Sequence, residues 1–161
     1  QGMQPIAGYN YGSMQFDRLM KVVKYAIMAA TAIMTSGFLL AMFLPGECAR
    51  LFTTDPSLID LSAKGIRFTM LAFPVVGYQM VVANVFQSIG KAKISIILSL
   101  SRQMLILLPL LIFLPPMFGI NGVWAAMPAS DFLAALMAAW IMIVYMRRFK
   151  KQHIEMTYEQ K

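Results

Sequence analysis

Residues 25–46 read YAIMAATAIMTSGFLLAMFLPG, from Tyr25 to Gly46, without a single charged side chain. A bilayer core about 30 Å thick takes roughly 20 apolar residues in helical form. This run supplies them. Arg18, Lys21 and Lys24 precede it and Glu47 and Arg50 follow it, so charges bracket the segment without entering it. The pattern is that of a membrane span, because a surface helix of a soluble domain keeps a charged or polar face along its length.

Three more apolar runs follow, and together they set the fold class: an all-α membrane protein of four transmembrane helices plus the end of a preceding one. The spans are expected at about 22–46, 67–90, 94–116 and 120–146, within a membrane region of residues 17–148. Residues 1–16 read as the end of a preceding transmembrane helix, and residues 149–161 as a polar cytoplasmic tail. Pro115, Pro116, Gly119 and Gly122 supply helix breakers for a tight hairpin between the third and fourth spans. The connection Glu47 to Arg67 alternates apolar and polar residues and reads as a short amphipathic helix, with Asp55 or Ser57 near its start and Pro56 at an early position.

Composition agrees with a lipid environment. Hydrophobic residues make up 59% of the 161, charged residues 13%, and the mean hydropathy is +0.66, against an apolar share of about 45–50% and a charged share of about 25% in soluble domains. The net charge of +7 does not form a basic stripe interleaved with aromatics, which excludes a nucleic-acid partner. Its placement encodes topology instead. Ten Lys and Arg residues flank one side of the spans (Arg18 to Lys24, Lys91 and Lys93, Arg147 to Lys161), and three, Arg50, Lys64 and Arg67, flank the other. Positive loops stay in the cytoplasm, so both ends of this multi-pass segment are expected there.

Enzymatic chemistry lacks parts. The one histidine, His153, sits in the polar tail and the one cysteine, Cys48, has no ligating neighbours, which leaves no metal centre or nucleophilic triad. Gly90-Lys91 has no upstream glycine and forms no phosphate loop. The chain reads as a non-enzyme that needs no cofactor.

The first residues, QGMQPIAGYNYG, lack an initiator methionine and break an apolar segment with glycine and proline. They read as the cytoplasmic end of a helix whose beginning is missing, hence as a cut within a longer polypeptide. The same stretch, Gln4-Pro5-Ile6 and Gly8-Tyr9-Asn10-Tyr11-Gly12 followed by Arg18, resembles the segment closing the eighth helix of the MATE (multidrug and toxic compound extrusion) transporters. Phe86-Gln87-Ser88-Ile89-Gly90-Lys91-Ala92 is similar to the end of that family's tenth helix. Ser101-Arg102-Gln103 with Pro109 is similar to its eleventh, and Gly119-Ile120-Asn121-Gly122-Val123-Trp124 with Pro128 and Asp131 to its twelfth.

The resemblance implies part of the C-terminal lobe of a two-lobed, twelve-helix transporter that exchanges drug-like organic cations for protons or sodium. The implied partners are membrane lipid, small organic cations and the missing N-terminal lobe of the same polypeptide. One departure stands out: some sodium-driven members use a carboxylate on the tenth helix, whereas residues 68–90 contain no Asp or Glu. A related flippase for lipid-linked saccharides and a non-transporting four-helix scaffold subunit are the alternatives.

Arg102 and Asp131 are the charges inside spans, and such residues are functional candidates by default. At 1.5 Å per residue, straight helices would set their backbones about 10 Å apart in depth. Long side-chain reach alone would close that gap, so a direct pair is not assumed. Asp131 is a candidate proton or sodium carboxylate, and Arg102 a candidate group for tuning it; snorkelling by Arg102 and interhelical hydrogen bonding by Asp131 are the structural readings. Asn84, Gln87 and Trp124 complete the pathway candidates. Polar residues recur on one face of each span, Gly77, Asn84 and Ser88 on the second and Ser95, Ser99 and Arg102 on the third, either to bond neighbouring helices or to line a cavity. Pro74, Pro109 and Pro128 are the hinge candidates.

Overall fold

The computed structural model describes residues 2–159, with side chains described as far as residue 149. Helix α1 (Met3–Gly12) leads through a turn into α2 (Phe16–Phe43), followed by the short α3 (Pro45–Arg50). Then come α4 (Pro56–Thr69), α5 (Phe73–Ser88), α6 (Ala92–Leu100), α7 (Leu108–Phe118) and α8 (Ile120–Glu159). Four helical stretches are long and apolar enough to cross a membrane: Phe16–Phe43, Pro56–Ser88, Ala92–Phe118 and Ile120–Phe149. The tail expected over 149–161 continues α8 to Glu159; His153 and the cations Lys150, Lys151 and Lys161 lie outside the described side chains.

Local chemistry explains where each helix starts and stops. The α2 helix ends at Leu44, where Pro45, lacking an N–H, opens α3. The Asp55 carboxylate caps α4 by accepting from the Ser57 amide at 2.8 Å, with Pro56 at the first helical position. The amphipathic helix expected in this connection is therefore α4, but it does not stand alone. It runs through a 3-10 turn, Met70–Ala72, directly into α5, and Pro74 lies in the first turn of α5, where its missing donor costs little. At the other end of α5, Gly90 at φ +78 allows Lys91 N–H to reach back to the Phe86 carbonyl at 2.9 Å.

The third span is not one regular helix. Between α6 and α7, residues Ser101–Leu107 form a π-helical stretch immediately ahead of Pro109. Proline removes the donor that the carbonyl four residues earlier would accept from and crowds that carbonyl, and the wider π turn relieves both. The hairpin falls within the expected stretch, with the reversal made at Gly119, at φ +59, while α7 continues through Pro115 and Pro116. Gly122 then packs against the Leu114 carbonyl so closely that a Cβ would overlap it, which sets α7 and α8 side by side.

Helix α5 is the centre of the bundle. It buries Val76, Gly77, Gln79, Val81, Val82, Val85 and Phe86 against α2, α8 and α1. On α8, Ala138 is fully buried in the cluster with Val82, Val85 and Phe86, and Ala134 and Ala135 are buried on the same helix, small side chains that permit close helix approach. At the Lys/Arg-rich end, Tyr11, Phe16 and Phe149 form an aromatic cluster, Tyr145 packs edge-on against Phe86, and Lys91 sits 4.5 Å above the Tyr145 ring. Large apolar side chains such as Leu105, Ile112, Phe113, Leu136 and Trp140 point outward. Exposure on this scale is ruinous in water and natural in lipid.

Candidate functional site

The polar residues of α5, α6 and the π-helical stretch converge on a cavity of about 300 Å³. From α5 it receives Gln79, Asn84 and Gln87; from α6, Ser95 and Ser99; from the π stretch, Arg102 and Gln103. Arg102 and Gln103, at the start of the π stretch, share this wall with the two serines, as the i, i+4 and i+7 spacing of Ser95, Ser99 and Arg102 on one helical face requires. On one flank α1 holds the amides in place: Gln4 Nε2 donates to Asn84 Oδ1 at 3.0 Å and to Gln87 Oε1 at 3.3 Å.

Gln79 is the wall residue that the sequence reading missed. Its side chain is buried, and its Oε1 has no hydrogen-bond partner among the described residues. A buried carbonyl left in this state costs about 1–3 kcal/mol, so it is a standing acceptor for any donor that enters. The signal was present as Gln79, Ala83 and Gln87 at four-residue spacing, a single helical face. Gly77 and Ser88, read as part of the polar face of α5, instead mark helix contacts: Gly77 lies against Ala30, and the Ser88 carbonyl lies against Gly8.

Arg102 and Asp131 meet. Nε of Arg102 lies 2.7 Å from Oδ1 of Asp131, with Asp131 almost fully buried and Arg102 31% exposed toward the cavity. Their backbones are expected at different depths, and the long guanidinium side chain reaches across to α8 to close the gap. Among the described residues Oδ1 has no in-line hydrogen-bond donor, so the contact is held by charge more than by alignment. Asp131 is not on the cavity wall; Arg102 stands between its carboxylate and the open space. Ser130, beside it, turns its hydroxyl to the Met127 carbonyl at 2.7 Å and makes no contribution to the pair.

The remaining candidates lie elsewhere. Trp124 packs over Gly65 and stacks on Phe68, with ring centroids 6.1 Å apart, at the end of the bundle away from the basic cluster. It is a packing residue between α4 and α8 and stands apart from the cavity. Pro74 and Pro109 each follow a non-α stretch, and Pro128 lies inside α8, one turn before the aspartate. Among the described residues no cluster of His, Cys, Asp and Glu is arranged to hold a metal.

The chain is similar in sequence and in fold to known proteins. The multidrug export protein MepA of Staphylococcus aureus (strain bovine RF122 / ET3-1) is 25% identical over 148 residues, covering 92% of this chain and 32% of that protein. MepA of Staphylococcus haemolyticus is 23% identical over 141 residues, covering 88% and 31%. Among solved structures, the MATE multidrug transporter DinF-BH in complex with rhodamine 6G superposes with a TM-score of 0.82 at 38% identity, covering 88% of this chain and 32% of that one. An outward-facing MATE family transporter of the MOP superfamily superposes with a TM-score of 0.86 at 21% identity, covering 92% and 34%. The chain thus spans about a third of the length of the curated relatives it matches. The MatE family model matches residues 1–113, from α1 through the π stretch that carries Arg102 into α7, and with the bundle reproduced in solved members this chain belongs to the MatE family.

Proposed function

We infer that this chain supplies part of the C-terminal lobe of a bacterial exporter that moves drug-like organic cations outward across the cytoplasmic membrane in exchange for protons or sodium. The observation that carries this reading is the Arg102–Asp131 pair, a buried carboxylate neutralised by a guanidinium that also lines a polar cavity. Charges inside a membrane bundle are costly, and paired groups beside a cavity are characteristic of ion and substrate pathways. The binding of the rhodamine dye by DinF-BH supports a drug-like ligand, and the multidrug export activity of MepA supports the direction of transport. Lys and Arg placement supports cytoplasmic ends on both sides of this segment.

In this reading Arg102 is the switch. Paired with Asp131, it leaves a neutral, amide-lined cavity in which a cation is tolerated and can donate a hydrogen bond to Gln79 Oε1. When a proton or sodium ion takes the Asp131 carboxylate, Arg102 is released toward the cavity and repels the cation. Ion and drug then exclude one another, which is the requirement for exchange. A flippase for anionic lipid-linked saccharides would need unpaired cations in its cavity, whereas Arg102 is paired.

The test uses the complete polypeptide that carries this sequence, with export of the rhodamine dye followed while the proton and sodium gradients are collapsed in turn. Gradient-dependent export that Asp131→Asn reduces at least about tenfold, with dye binding weakened because the released Arg102 repels the cation, is the expected result. Full export by Asp131→Asn overturns the coupling role, and absence of gradient dependence overturns the exporter reading.

A further inference from the structure

We propose that the groove between α2 and α8 is a binding site for an anionic phospholipid, with the phosphate held by Lys21, Lys24 and Arg147 and the upper acyl chain lying along Ile27, Met28 and Ile143. The groove has a volume of about 610 Å³ and is floored by Tyr78 of α5, Val23 and Met142. Its cations all lie at one end, where α2 begins and the apolar part of α8 finishes. Its other wall residues are apolar, and Met20, Met28, Met142 and Met146 supply flexible thioether side chains that mould to an irregular hydrocarbon chain.

Charge complementarity selects the occupant. None of the three cations forms an ion pair among the described residues, and no acidic residue lines the groove. The neighbouring cations are engaged differently: Lys91 lies over the rings of Tyr145 and Phe149, and Arg148 over Tyr145. Lys21, Lys24 and Arg147 are therefore the ones left facing an apolar slot. From Lys21 to Met28 the helix rises about 10 Å, the depth separating a headgroup phosphate from the first part of its acyl chain. Cations at the mouth of an apolar interhelical slot are the elements that recognise an anionic lipid, since they contact phosphate and hydrocarbon at once. A zwitterionic lipid would leave part of the positive field uncompensated.

The site is read with Met28→Trp, an exposed wall position, in the complete polypeptide reconstituted in phosphatidylcholine vesicles containing a dibrominated lipid. The emission of the same polypeptide without this substitution is subtracted. Dibrominated phosphatidylglycerol should quench the added tryptophan at roughly tenfold lower mole fraction than dibrominated phosphatidylcholine, because each engaged cation favours the anionic lipid several-fold. Adding Lys24→Gln and Arg147→Gln should remove that preference, whereas Arg18→Gln with Lys93→Gln, an equal loss of charge outside the groove, should preserve it. Equal loss in both double variants means diffuse attraction to the basic end and overturns the site. Failure of either brominated lipid to quench means that another part of the polypeptide fills the groove, and also overturns it. These outcomes are independent of whether the rhodamine dye is exported.

Discussion

Gly77 on α5 lies so close to α2 that a Cβ on it would stand 2.9 Å from the Ala30 carbonyl oxygen and 3.0 Å from the carbonyl carbon. Backbone cannot move aside as a side chain can, so this contact fixes the spacing of the two helices. Gly77→Ala is expected to lower stability, with an overpacking cost of about 1–3 kcal/mol set against about 1 kcal/mol regained in helix propensity. Gly37 gives the contrast. A Cβ there meets the Phe73 ring at 3.7 Å, an ordinary contact, so Gly37→Ala should be neutral or stabilising. Thermal unfolding of the two variants in one detergent checks the order.

The Arg102–Asp131 pair predicts unequal costs for its two halves. Arg102→Ala strands a carboxylate that is almost fully buried, and removing one partner of a buried pair costs about 3–5 kcal/mol. Asp131→Asn instead leaves a guanidinium that can turn into the cavity, so its cost should fall to roughly 1–3 kcal/mol. The double variant Arg102→Ala with Asp131→Asn should be more stable than Arg102→Ala alone. A double-mutant cycle on unfolding free energy gives the coupling directly.

The four spans were legible because length and absence of charge are one-dimensional properties, and residues 25–46 carry both. The capped start of α4 at Asp55-Pro56 was legible for a similar reason, since capping is local. The Arg102–Asp131 contact was not. It depends on how far the Arg102 side chain reaches and on how the reversal at Gly119 and the close approach of Gly122 set α7 beside α8, and neither follows from apolar periodicity. Gln79 gains its meaning only from the wall opposite, because four-residue spacing to Gln87 does not show whether that face meets a helix or a cavity.

Gln4 acts as a clasp on the cavity, since one amide nitrogen serves both Asn84 and Gln87 across the gap between α1 and α5. Gln4→Leu removes both bonds, each worth about 0.5–1.5 kcal/mol net, and frees two acceptors beside the cavity. Asn84→Ser, by contrast, leaves Gln87 still held. A cysteine at Ser99 on the opposite wall should react several-fold faster with a small water-soluble thiol reagent when Gln4→Leu is present. An unchanged rate would mean that the clasp does not govern access.

Asp55 predicts a pH dependence outside the membrane. Hydrogen bonds from the Ser57 hydroxyl and amide hold its carboxyl below the usual aspartate value. A depressed native value means that the cap's contribution is complete above the unfolded value, about 3.9, and is lost as pH falls through the lower folded value. Protection of the Ser57 amide against hydrogen exchange, corrected for the intrinsic rate, should therefore decline across that acid window. Asp55→Asn keeps an acceptor at the cap but does not titrate, so its protection should stay level over the same range. Asp55→Ala should lose protection at every pH, because nothing then receives the Ser57 amide.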